Sequence, residues 1–526
     1  MRVQQQKPAS SLCIGSCPCD KKTTNDHTIT RLPAWDQASM RSYIRVVLCF
    51  AFDNTAIDAA VQHIRGSLKR LACQRPAFSG SIEVHAGGIV HLRTSNKPQL
   101  GEATIPFTTV DISSKFPYAS FDELKEASFP PAAFVAPHFN QPCVVGEGLP
   151  GVPVAVVKAF IIPGGLLLGI YFNHAVADGD CLRVFLEAFA GQTCHQPSFG
   201  PSTMEHHVPL SRRQINGTDI GLEKLLERIP EYSILDEPLG PTMPRLRAEG
   251  VPMDEIPKIG KIFVFNNERL NELRSFIAAE SSRTQKKTGT GCCRPLFQNG
   301  DVGANYINYT NYTCLAALTW AHITRARLAD KNRYVPYSAD LDETALLQTM
   351  VNWKTRAFKE KNKDYFGNAT AVAATQVPTR AVLVEAASDR SRLAELVATI
   401  DKTISSVDED YVRDRTEFFT RVPDPRLIGL RFDPRTPQDL GFNTWRFFGS
   451  DTKWTIPGVG SGSGRGATSP DVVRRMQDAW NMSGALILPA KAGSTAHELL
   501  VTLPTSSMEL LCQDQDWMCW VDRVIG

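Results

Sequence analysis

A chain of 526 residues is about twice the length at which one hydrophobic core stops growing, so two domains are expected. With 57 Lys and Arg against 55 Asp and Glu, a net charge of +2 and 43% apolar residues, nothing in the bulk chemistry calls for nucleic acid or an anionic membrane. The 13 cysteines sit mostly inside apolar runs, as Cys49, Cys181 and Cys314 do, which fits a reducing cytoplasm better than a disulfide framework.

In chain order, residues 1–30 are polar and lack the apolar run of a secretory signal, so they read as a disordered tail on a cytoplasmic protein. Cys13, Cys17 and Cys19 in that tail have no histidine or second cluster at zinc-site spacing, and no metal is expected. "RSYIRVVLCFAF" at 41–52 predicts a strand, followed from Asn54 by a helix with Ile57, Val61, Ile64, Leu68 and Leu71 on one face. "SIEVHAGGIVHLR" at 81–93 predicts a hairpin. "VPVAVVKAFIIPGGLLLGIYF" at 152–172 is long enough to cross a bilayer, but Lys158 interrupts it and Pro163-Gly164-Gly165 divides it, which predicts a buried hairpin and no membrane span. A helix starts with "CLRVFLEAFA" at 181–190 and completes a first domain over 31–205.

Residues 206–258 are rich in proline and poor in periodic runs, the pattern of a crossover linker. A second domain over 259–526 is predicted to hold the strand "KIFVF" at 261–265 and the helix 268–280. A mobile polar loop at 281–303 and a helix at 314–328 follow. Paired strands at 485–489 and 497–504 come last, with Ser506 and Glu509 as a capping box ahead of a C-terminal helix. There is no phosphate-binding Gly-x-x-x-x-Gly-Lys-Ser/Thr, no His-Glu-x-x-His and no Gly-x-Ser-x-Gly in the sequence, which removes three large classes of hydrolase chemistry.

The chemistry points to "YFNHAVADGD" at 171–180. His174 leaves the end of the apolar strand, at the corner where the next helix begins, and is the only histidine with an aspartate four positions on. A neutral imidazole held there could act as a general base toward an alcohol or amine attacking an acyl carbonyl. Asp178 could orient the imidazole directly or tie down the turn through a buried ion pair, and Gly179 supplies a permissive backbone for the corner.

Further stretches agree with this reading: "LPAWDQ" at 32–37, "TCLAALTWAHITRAR" at 313–327, "VNWKTR" at 351–356, "YFGNA" at 365–369, "NTWRFF" at 443–448 and "DTKWTIP" at 451–457. With "HAVADG" at 174–179 they resemble, in this order, the HxxxD (BAHD-type) acyltransferases, most of all the fungal branch acting in secondary metabolism, similar to trichothecene O-acetyltransferases. The family's Asp-Phe-Gly-Trp-Gly signature is matched only at Asp451, Trp454 and Pro457, which marks Asp451 as structural.

The resemblance implies an α/β fold of two chloramphenicol-acetyltransferase-like domains, mixed sheets flanked by helices, with the active-site channel between them. It implies a monomer with no bound cofactor that takes acyl-CoA, acetyl-CoA above all, as co-substrate and a small-molecule alcohol as acceptor. His174 would deprotonate the acceptor for direct attack on the thioester. Asn443, Thr444 and Trp445 would face the substrate and the oxyanion. Asp178 would pair with Arg356, or with Lys354. The competing readings are a carrier-protein-dependent condensation-type enzyme, which shares the fold, and a non-catalytic ligand-binding descendant.

Overall fold

The computed structural model describes residues 12–13, 21–24, 26–96, 104–195, 209–210, 221–288, 309–336, 340–357, 365–383, 390–460, 466–482 and 484–526. It is a mixed α/β structure built on two principal sheets. The first has five strands in the order Val472–Arg475, Tyr43–Ala51, Gly165–Asn173, Ala155–Ile162, Phe107–Asp111. All nine residues of Gly165–Asn173 are buried, as the unbroken apolar run requires of a strand covered on both faces. It forms the expected hairpin with Ala155–Ile162, closed by Pro163 and Gly164, whose φ of 72° needs a glycine.

One face of this sheet is covered by the helices Ile57–Gln74 and Gly179–Thr193, with Ile64, Leu68, Leu71, Phe185 and Phe189 in a shared core. Residues between Ile112 and Phe139 cover the other face. Of the helical face read from the sequence, Ile64, Leu68 and Leu71 are buried, whereas Val61 is not.

The second sheet has seven strands in the order Thr370–Pro378, Thr344–Asn352, Leu440–Thr444, Gly484–Ile487, Ala496–Pro504, Lys258–Asn266, Arg523–Ile525. Helices Asn267–Thr288, Asn311–Ala329, Arg390–Ser405 and Thr505–Gln513 accompany it, and their apolar residues merge with those of its strands in one core. Helix Asn311–Ala329 is apolar nearly all round because nearly every side is buried.

The two halves are not built from separate stretches of chain. Strand Val472–Arg475 follows most of the second half in sequence yet pairs antiparallel with Tyr43–Ala51 in the first sheet. Trp454, Ile456 and Phe366 likewise sit in the first core. In the other direction, Trp35 packs against Trp353 and Phe419 in the second half.

Three expectations are corrected here. The tail is not wholly irregular, because Lys21–Thr23 and His27–Arg31 pair in a sheet with Ile89–Ser95. Ser506 does not cap its helix; its hydroxyl donates to Asp330 Oδ2 at 2.6 Å, and Pro504 occupies the N-cap. The helix Asn267–Thr288 takes up the first eight residues of the expected loop at 281–303, whose other residues lie outside the described ones, as do Cys17 and Cys19. Among the described residues no helix is long and apolar enough to cross a membrane.

Candidate active site

The antiparallel pairing of Gly165–Asn173 with Tyr43–Ala51 continues one step past the strands, where the His174 N–H donates to the Ser42 carbonyl at 2.8 Å. The histidine backbone is therefore fixed by the sheet before its side chain enters the space between the halves. His174 is half-buried, and burial lowers its pKa from the usual value, against smaller opposing effects that include the charge of Asp178 and the bond to Asn368. The imidazole is neutral at physiological pH and available as a base.

Its Nδ1 lies 3.2 Å from the Asn368 Oδ1. The Asn368 amide has one satisfactory orientation, because its Nδ2 donates both to Asp36 Oδ1 at 2.6 Å and to the His174 carbonyl at 2.9 Å. Flipping it would set an oxygen against two acceptors. With Oδ1 facing the ring, Nδ1 carries the proton and Nε2 is the free lone pair. Asp36 also accepts from the Asn368 backbone N–H at 2.7 Å. The quoted "LPAWDQ" and "YFGNA" stretches thus meet behind His174, although neither Asp36 nor Asn368 was assigned a role from the sequence.

Asp178 faces away from the imidazole. Its Oδ1 caps the helix Gly179–Thr193, accepting from the Asp180 and Cys181 N–H groups at 3.1 Å each. Its Oδ2 accepts from the Ala369 N–H at 2.9 Å and the Thr370 hydroxyl at 3.0 Å, both in the second half. The expected ion pair with Arg356 is therefore a correction: Arg356 donates to the Ile404 carbonyl at 2.7 Å. Lys354 lies close enough to feel the Asp178 charge, but its ammonium bonds Asp180 at 3.0 Å and sits over the Tyr365 ring.

Gly179 is also not what the sequence suggested. Its φ is not positive; what the glycine supplies is room, since a Cβ there would run into Cζ and Cε2 of Phe448 and force the ring to shift. Phe448 follows the strand Leu440–Thr444, so the segment containing Asn443, Thr444 and Trp445 is carried to the start of the motif helix. The Trp445 N–H donates to the Ile487 carbonyl at 2.8 Å, and its ring stacks with Phe448 and packs against cores of both halves. Asn443 Oδ1 accepts from the Thr444 N–H at 2.7 Å, and Thr444 Oγ1 accepts from the Arg446 N–H at 3.3 Å.

Asp451 is exposed. Its carboxylate accepts from the Ala492 N–H at 2.8 Å and its carbonyl from the Ser469 hydroxyl at 3.3 Å, contacts that hold a loop. Three residues on, Trp454 is buried against Phe50 and Phe189. A cavity of about 580 Å³ between the end of the motif helix and residues 447–453 includes Asp451 and Cys194 in its wall, but not His174. Among the described residues no group of three or more His, Cys, Asp or Glu is arranged to hold a metal ion.

Comparisons with known proteins bear on the family and the fold. A model of the Transferase family matches residues 18–518. The chain is 24% identical to Acyltransferase easC of Emericella nidulans, over 93% of this chain and 94% of that one. It is 21% identical to the Trichothecene 8-O-acetyltransferase of Fusarium sporotrichioides, over 92% and 96%. Among solved structures, F. sporotrichioides TRI101 complexed with coenzyme A and T-2 superposes with a TM-score of 0.67 at 18% identity, covering 95% of this chain and all of that one. Vinorine synthase superposes with a TM-score of 0.54 at 13% identity, over 99% and 96%. These structures share the fold. Since the family model spans nearly the whole chain, HxxxD motif included, the chain belongs to the Transferase family, the HxxxD (BAHD-type) acyltransferases.

Proposed function

We propose that the protein transfers an acyl group, acetyl in the first instance, from acyl-CoA to a hydroxyl group of a small secondary metabolite, with His174 as the general base. The observation that carries this reading is the imidazole itself: Nδ1 engaged by Asn368, Nε2 without a partner among the described residues, and burial favouring the neutral ring. The acceptor O–H gives its proton to Nε2 as its oxygen attacks the thioester carbonyl. The tetrahedral intermediate then collapses, and the imidazolium returns the proton to the departing thiolate, giving free thiol and ester without an acyl-enzyme.

Asn443 Nδ2 is the donor we assign to the oxyanion, since its Oδ1 is already engaged by the Thr444 N–H. Thr444 and Trp445 shape the adjoining wall, and a well-placed oxyanion donor contributes about 3 kcal/mol. Asp178 and Gly179 act by fixing the turn and the helix start, and Asp451 by holding its loop. Relatives described as a trichothecene O-acetyltransferase and as a structure with coenzyme A and T-2 support the donor and the alcohol class. The test is thiol release from acetyl-CoA with an alcohol library, wild type beside His174→Ala. Acceptor-dependent release that disappears in the variant supports both donor and base; release that survives removes His174 from the role.

A further inference from the structure

We propose that Asp36, acting through Asn368, is the positioning carboxyl of His174, the part that the motif spacing would give to Asp178. This rests on the general-base reading above. The geometry runs in one line: His174 Nδ1 to Asn368 Oδ1 at 3.2 Å, and Asn368 Nδ2 to Asp36 Oδ1 at 2.6 Å. Both remaining donors of this arrangement are accounted for, since the Asn368 N–H also bonds Asp36 and Nδ2 also bonds the His174 carbonyl. Asp178 cannot serve, because four donors from its own helix start and from residues 369 and 370 already engage its two oxygens.

A carboxylate one amide removed from the ring acts on the imidazolium that forms in the transfer. The acceptor proton moves to Nε2, Nδ1–H stays on Asn368 Oδ1, and the positive ring faces an amide whose far end is bonded to an anion. The amide transmits orientation and polarisation but takes no proton, so the ring keeps a single tautomer through the cycle.

The surroundings make this carboxyl titratable where the enzyme works. Asp36 is fully buried, and among the described residues its Oδ2 takes no hydrogen bond. Oδ2 and the Tyr365 hydroxyl flank the place where a Cβ on Gly367 would sit, 3.1 and 2.7 Å from it. Burial pushes the carboxyl up to about 7, the Asp178 charge pushes the same way, and the two Asn368 bonds pull it back. The other ionisable groups in this shell are Tyr365, Cys181, His174 and Lys354, which lies over the Tyr365 ring. Ionised Asp36 supports the imidazolium and neutral Asp36 does not, so the transfer rate rises with pH through the titration of Asp36, above the point at which His174 itself is already neutral.

The experiment compares full-length wild type with Asp36→Asn from pH 5.5 to 9, reading kcat, KM for acetyl-CoA and for an active acceptor, and the melting temperature. Asparagine keeps the acceptor oxygen for Asn368 and removes the charge. The expected result is a kcat reduced about 10- to 100-fold at pH 8, KM values within about 2-fold, and loss of the limb near pH 7. Melting at pH 8 should be unchanged or raised, since a buried charge has gone. Wild-type kcat with the limb intact overturns the proposal, and so does a uniform loss of rate at all pH values that tracks a lower melting temperature. If no acyl transfer occurs in wild type, the general-base reading has failed. The positioning role is then read by ¹⁵N-histidine NMR: a step in the His174 resonances near pH 7, absent in Asp36→Asn, sustains it, and no step overturns it.

Discussion

The ring of Phe448 occupies the space that a Cβ on Gly179 would need, so a larger residue at the motif position would have to displace it. The contact joins the strand end of the second half to the helix that follows His174. Gly179→Ala should therefore cost about 1–3 kcal/mol of stability, with activity falling alongside it. Phe448→Leu in the same chain should recover much of the loss, because space rather than backbone conformation is limiting. Melting curves of the two single variants and the double variant test this; no recovery in the double would show that the glycine is needed for its backbone.

Asp178 and Arg356 should behave as unrelated residues. Asp178→Ala leaves four donors without their acceptor in a buried turn and should cost about 3 kcal/mol, with loss of soluble protein. Arg356→Ala removes one bond to a backbone carbonyl and should cost under about 1 kcal/mol, with activity retained. Chemical denaturation of both variants checks the pair, and equal damage would restore the ion pair that the sequence suggested.

Asn368→Ala should lower kcat about 10-fold or more while acyl-CoA binding persists, because the ring loses the acceptor that fixes its tautomer. Steady-state kinetics with thermal melting beside them separate this from simple unfolding.

Acid sensitivity should arise partly from Asp514. Burial pushes this carboxyl up, but the hydrogen bonds and charges of His322 and Arg325 outweigh it and hold the pKa well below the usual carboxylate range. A folded-state pKa below that of the unfolded chain means stability that is complete above about pH 5 and lost as pH falls through about 4 and lower. Asp514→Asn should thus be about 2–4 kcal/mol less stable than wild type at pH 7, a difference that narrows by pH 3. Denaturant midpoints at the two pH values decide it.

How much of this was legible follows from the range of each interaction. The hairpin at 152–173, the helix after Asn54 and the corner at His174 were readable because their causes lie within a few residues: an apolar run, a Pro-Gly turn and a 3.6-residue period. The partners of His174 were not, since Asp36 and Asn368 are 332 residues apart and neither spacing nor composition links them. Arg356 was expected only from the resemblance, which implies a cation for the motif aspartate, whereas Asp178 is satisfied by backbone N–H groups and a threonine. Gly179 was given a backbone cause, whereas the crowding at that position comes from the ring of residue 448, far off in sequence.

Strand Val472–Arg475 closes the open side of Tyr43–Ala51. On the ribosome, the first sheet must therefore wait more than 400 residues after Tyr43–Ala51 before its last strand, Val472–Arg475, arrives. Until then Tyr43–Ala51 presents unpaired N–H and C=O groups along an apolar edge, the kind of surface that recruits other chains. A fragment ending near residue 205 should aggregate when produced alone and become soluble when the remainder is supplied in trans, which makes the chain a poor candidate for separation into independent halves and a natural one for split-protein complementation.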